Sequence, residues 1–235
     1  MSHPLSTRYP GASGVTCDDK LEICLQYSTQ WDGLSHYGRA FDADGDGQDE
    51  IVYYNGWRAG EDIVPAGEGR ASGAYRLAIA TYAEKAIQTR GVLLDLDRHF
   101  GPARRKVGFD ELQEALREQS IVVESGDILC IHSGIGRMLM QMGRYDLGTL
   151  RNLGAEIDGA DKRILDWITD TGITAIAADN FAVEWFQKVD DPNVPQAILP
   201  LHEHCLFRLG VPLGELWWLT PLAEALGARN RSRFM

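Results

Sequence analysis

Two stretches hold the side chains with the most chemistry to offer. In Gln26-Tyr27-Ser28-Thr29-Gln30-Trp31-Asp32-Gly33-Leu34-Ser35-His36, polar residues alternate. In an extended chain Gln26, Ser28, Gln30 and Asp32 project from one face. That face offers oxygen ligands to a cation, with Asp32 as the anionic one and His36 as a titratable neighbour. The same alternation describes a solvated strand edge that ends in a turn at Gly33, and spacing by itself leaves both readings open. The second stretch is Leu201-His202-Glu203-His204-Cys205, with Glu215 beyond it. Histidines two apart on a helix point to different sides, so one of them at most faces a given site. A zinc-protease H-E-x-x-H motif needs them one turn apart and is absent. A hydrogen-bonded or solvated helix face fits these residues as well as a site does.

Three further features compete. Asp42, Asp44, Asp46 and Gly47 match the opening of a calcium-binding loop. The bidentate Glu expected at its twelfth position is Tyr53, so a solvated acidic loop is the better reading. Asn180, Phe181 and Glu184 directly follow an apolar segment, where polar ligands bind in α/β domains; we expect them, with Trp31, to touch substrate. His132 reads as a core histidine at least as well as a catalytic one. No G-x-S-x-G, G-x-x-x-x-G-K-[ST] or G-x-G-x-x-G segment is present, which removes the main support for serine-hydrolase, P-loop and dinucleotide-binding readings.

Positioning such residues takes a scaffold, and the pattern supplies one. Leu21, Ile23 and Leu25 alternate as in a strand. Val92–Leu96, Ile128–Ile131 and Ile173–Ala177 are short apolar runs that read as buried strands. Between them lie an Ala-rich helical stretch over 71–90 and a helix through Glu118 opened by Asp110 and Gln113 as a capping box. A further helix through Ile164, Leu165, Trp167 and Ile168 closes at Gly172, and 201–209 reads as another. Alternation of strands and helices argues for one α/β domain over 21–225. Residues 1–20 read as an arm or loop, and 226–235 as a tail.

Composition narrows the function classes. With 23 Lys+Arg against 34 Asp+Glu, the 235-residue chain carries a net charge of −11, so a nucleic acid receives no global electrostatic attraction. No apolar run approaches the roughly 18 residues of a membrane span, and the first ten residues lack the apolar core of a secretory signal. The expected location is the cytoplasm, with the four cysteines reduced.

The segment Ser28–His36 resembles the cyclase/kynurenine formamidase-like family of metal-dependent hydrolases. The family motif is H-x-G-T-H-x-D-x-x-x-H, of which this sequence keeps Thr29, Asp32 and His36. Similarity continues through Arg90–Asp95, Gly126–Leu129, Gly172-Ile173, Ala178-Asp179-Asn180 and Leu206–Glu215, covering about residues 15–225. The resemblance implies a swivelling β/β/α-type fold with a small open barrel and flanking helices, and a homodimer. It further implies hydrolysis of an amide, formamide, cyclic amide or lactone in a small carbonyl substrate by metal-activated water. It makes Asp32 and Glu215 metal ligands and His36 the catalytic histidine. Glu203 falls at a ligating histidine, with His202 as the alternative. Gln26 and Gln30 replace two histidine ligands. Amide oxygens are harder donors than imidazole, so manganese is expected in preference to zinc or magnesium. The same replacements also suit a catalytically silent member that binds a small molecule or another chain.

Overall fold

The computed structural model describes residues 3–8, 11, 13, 15–20, 25–65, 71–144, 146–191 and 195–235. Its centre is a six-stranded sheet of β1 (Gln30–Asp32), β2 (Gly91–Asp95), β3 (Ile128–His132), β4 (Ala175–Ala178), β5 (Leu213–Glu215) and β6 (Arg233–Phe234), in the order β6-β2-β3-β4-β5-β1. The four inner strands are parallel and the two edge strands antiparallel. The helices used below are α1 (Phe109–Glu118), α2 (Ile135–Met142), α3 (Lys162–Thr171), α4 (Pro200–His202, continued as a π-helix over Glu203–Leu209) and α5 (Thr220–Gly227).

The apolar runs become the buried strands because both faces of the sheet are covered. Val92, Leu94, Leu129, Ile131, Ile176 and Ala178 point into the large core with Leu112, Leu116, Ile164, Ile168, Leu201 and Leu206 from α1, α3 and α4. The alternate residues Leu93, Cys130 and Ala177 meet Leu219, Ala223 and Leu226 at α5. Cys130 and Cys205 are buried free thiols. At the edge, Phe234 lies so close to Gly91 that any Cβ there would overlap its ring.

Several expectations are corrected. Residues 1–20 are not simply a loop, since His3–Arg8 and Val15–Lys20 pair as antiparallel strands. The helix expected over 71–90 shrinks to Ala80–Lys85, because Gly73-Ala74 pairs with Ile63-Val64 and Leu77 takes φ 58°. Helix α1 starts before Asp110: Glu111 accepts the Gly108 N–H (3.1 Å) and Asp161 accepts the Phe109 N–H (3.0 Å). Helix α3 does end at Gly172, whose left-handed backbone (φ 65°, ψ 37°) closes it. The strand expected at Leu21–Leu25 lies mostly outside the described residues; Leu25–Tyr27 is a 3-10 turn closed by the Ser28 N–H and hydroxyl on the Leu25 carbonyl. No helix among the described residues is long and apolar enough to cross a membrane.

Candidate active site

Edge strand β1 pairs with β5 so that Asp32 opposes Leu213 and Gln30 opposes Glu215. Alternation along each strand then puts Gln30, Asp32 and Glu215 on one face. Trp31 points to the other, where its ring meets Trp217 edge-on at 4.8 Å. The first turn of α4 lays His202 against that face. Its Nε2 is 3.3 Å from Glu215 Oε1 and 3.7 Å from Asp32 Oδ2. After the turn at Gly33, His36 returns to place Nε2 3.7 Å from Asp32 Oδ1. Asp32, His202 and Glu215 are buried, whereas the His36 side chain is 38% exposed. Gln26 joins through the 3-10 turn rather than through strand parity, donating to Asp32 Oδ1 at 3.1 Å. Gln30 Nε2 bridges Gln26 Oε1 and Glu215 Oε2, each at 2.8 Å.

A third carboxylate fixes the imidazole. Glu184 Oε1 lies 2.8 Å from His202 Nδ1 and accepts the His202 N–H, while Oε2 accepts the Leu201 N–H. Glu184 therefore positions His202 and is itself fully buried. Val183 immediately before it has φ 59°, a costly conformation for a β-branched residue. Asn180 holds that turn: Oδ1 accepts the Val183 N–H (2.7 Å) and Nδ2 donates to the Ala155 carbonyl (3.1 Å). Gly159 is required beside it, because a Cβ would overlap the Glu184 carboxylate. Leu216, next to Glu215, is likewise left-handed (φ 51°). Strained backbone thus flanks two of the buried carboxylates.

The remaining expected residues fall elsewhere. Glu203 turns away to Arg39 (3.3 Å) and Arg208 (2.6 Å), since the π-helical stretch carries it to the outer side of α4. His204 contacts Thr169. Phe181 is half-buried, and Asn180 faces inward. In the acidic loop Asp42, Asp44, Asp46 and Glu50 converge, but backbone N–H groups of Gly45, Asp46, Gly47, Gln48 and Ala43 and the Arg58 guanidinium occupy them. The role of Glu184 was hidden from sequence reasoning because nothing in the spacing links residue 184 to residue 202.

Electrostatics follow from burial. Burial pushes Glu215 up to about 7. Burial opposes an imidazolium at His202, but the surrounding carboxylates of Asp32, Glu184 and Glu215 outweigh it and raise the group to about 11. Burial also raises Glu184. For Asp32 burial is outweighed by His202, His36 and Gln26, leaving the carboxyl below its usual range. Burial lowers His36, with Asp32 opposing. Three carboxylates around one imidazole form a pocket of excess negative charge.

That pocket suits a cation. Asp32 Oδ2 and Gln30 Oε1 are buried and accept no hydrogen bond, a costly state for such atoms. With the Nδ1 proton engaged by Glu184, the Nε2 lone pair of His202 faces carboxylate oxygens and needs a proton or a metal ion between them. Asp32, His36 and His202 each bring one donor atom within 4.8 Å of the others. Asp32, Glu215, His202 and the Gln30 amide oxygen are the side chains that could hold the ion, with Glu184 orienting the imidazole from behind.

The chain is similar to several solved structures. A crystal structure of a novel cyclase superposes with a TM-score of 0.67 at 29% identity, covering 100% of this chain and 72% of the other. A predicted metal-dependent hydrolase from Bacillus stearothermophilus matches at 12% identity with a TM-score of 0.46, covering 93% of this chain and 72% of the other. Isatin hydrolase A from Ralstonia solanacearum matches at 14% with a TM-score of 0.42, covering 92% and 78%. No curated protein matches the sequence. The Cyclase family model matches residues 1–185, which include β1 with Asp32 and His36 as well as Glu184, and the chain belongs to that family.

Proposed function

We propose that the chain is a metal-dependent hydrolase that opens an amide, formamide, cyclic amide or lactone bond in a small carbonyl compound. The main support is the buried convergence of Asp32, His202 and Glu215, with two oxygens lacking hydrogen-bond donors, beside the partly exposed imidazole of His36. A divalent ion held there supplies Lewis-acid polarisation of a carbonyl and makes water more acidic. Two carboxylates, an amide oxygen and a single imidazole form an oxygen-rich donor set that favours manganese over zinc.

The chain's own residues do the rest. Glu184 keeps a proton on His202 Nδ1, so Nε2 stays directed at the ion pocket. Gln26 and Gln30 tie Asp32 and Glu215 into one hydrogen-bonded set and limit their rotation. At the rim, His36 Nε2 takes a proton from the attacking water and returns it to the leaving nitrogen or oxygen. Phe181 is retained as a wall for a ring-bearing substrate; Trp31 is not, because it faces away from the cluster.

A panel of formamides, cyclic amides and lactones, assayed with the metal-stripped protein and after adding manganese, tests the reading. Manganese-dependent turnover of at least one class is expected. No turnover on any class, together with no metal retained on dialysis, would leave a binding protein built on the same fold.

A further inference from the structure

A second cluster of ligand-type side chains lies two strands away from this site. The β2–β3 register sets Asp95 opposite His132, both at the carboxyl ends of their strands. Asp97, at the start of the helix Leu96–Phe100, reaches the same place. One donor atom from each of Asp95, Asp97 and His132 lies within 4.8 Å of the other two. The Asp97 side chain is only 9% exposed, and its Oδ1 is buried and accepts no hydrogen bond. Among the described residues, Asp95 Oδ1 takes both hydrogen bonds made to that carboxylate, from the Arg98 N–H and from His132, leaving Oδ2 uncommitted.

We propose that Asp95, Asp97 and His132 form a second divalent-cation site, independent of the one at Asp32. His132 Nδ1, which shares a proton with Asp95 Oδ1 at 2.8 Å, is the ring nitrogen that faces the carboxylates, and the ion takes the place of that proton. The other nitrogen, Nε2, lies 3.2 Å from Thr220 Oγ1, which accepts its proton and fixes the ring, the arrangement that metal-bound histidines usually show. Two carboxylates balance a divalent charge, and the salt bridge from Arg137 to Asp97 Oδ2 leaves Oδ1 for the ion. Asp95 also forms part of the wall of an open cavity of about 700 Å³ between β2, α5 and the chain's last residues, which gives an ion and its waters a way in. One imidazole with two carboxylates suits a first-row transition ion such as zinc or manganese.

Equilibrium dialysis of the metal-stripped full chain against zinc, followed by metal analysis, tests this. The wild type is expected to retain two equivalents, Asp32→Asn one, Asp97→Asn one, and the double variant none. Arg137→Met is expected to bind the second equivalent more tightly, because a neighbouring cation is removed. Asp95→Asn, checked for native circular dichroism, gives the same count as Asp97→Asn and guards against a folding defect in either one. The proposal is overturned if Asp97→Asn and Asp95→Asn keep as much zinc as the wild type, or if Asp32→Asn already binds none. Loss of zinc in Asp97→Asn but not in Asp32→Asn would sustain this site while removing the first.

Discussion

Glu184 Oε1 sits 2.8 Å from His202 Nδ1, and the same carboxylate accepts the backbone N–H groups of Leu201 and His202. One buried anion therefore sets both the start of α4 and the direction of the imidazole that the helix delivers. The cost of burying it is met by three donors, and the strained Val183 turn that aims it is held by Asn180. The helix start and the site are thus built from one contact.

Glu184→Gln tests that coupling. The substitution keeps the volume but removes the charge that makes His202 a strong donor. Metal affinity is expected to fall about 10–100-fold, measured by competition with a chelating indicator, with the far-UV spectrum unchanged. An unaltered affinity would mean that Glu184 serves only the helix start.

His36→Ala addresses the proton transfer. Because its side chain is 38% exposed and contacts Asp32 only at 3.7 Å, its removal should change stability by no more than about 0.5 kcal/mol. The turnover number is expected to drop about 10²–10⁴-fold on the best substrate of the panel. Full activity in this variant would transfer the proton-handling role to another group.

Gln30→His restores an imidazole where the family motif carries one. Gln30 Oε1 is buried without a hydrogen-bond partner, so the replaced atom is one that faces the ion pocket. A nitrogen donor there should shift preference toward zinc, with the ratio of zinc to manganese affinity rising by about tenfold or more. Competition titrations with the two ions give the ratio directly, and an unchanged ratio would remove Gln30 from the ligand set.

The parts of this structure that could be read from sequence are those set by local pattern. The apolar runs at 92–96 and 128–131 are β2 and β3 within a residue at either end, because both faces of a parallel sheet demand continuous burial. The closure of α3 at Gly172 follows from one residue's freedom to adopt positive φ. Where the outcome depended on distant partners, the pattern gave no warning. The family resemblance puts Glu203, with His202 as the alternative, at a ligand position, but Glu203 is drawn outward by Arg39 and Arg208, one of them 164 residues away in the chain. Trp31 sits beside two candidate ligands in sequence and on the opposite face in space, as strand alternation requires. Gln26 does meet Asp32, as alternation along a strand expects, but it does so from a 3-10 turn and not from a continuous strand.

Asp161 offers a test of the scaffold that is independent of any metal. Its Oδ1 accepts the Arg163 N–H at 3.1 Å as the cap of α3, and its Oδ2 accepts the Phe109 N–H of α1 at 3.0 Å. The Arg163 guanidinium, with these N–H groups, holds the carboxyl down at about 2. A depressed carboxylate contributes stability that is present above its unfolded value near 3.8 and is lost as pH falls through about 2. Asp161→Asn retains an acceptor for one N–H but loses the charge, so it should cost about 1 kcal/mol at neutral pH. Urea unfolding at pH 7, 4 and 2 should show the gap between wild type and variant nearly intact at pH 4 and closed at pH 2. A gap that persists at pH 2 would assign the stabilisation to the shape of the cap and not to its charge.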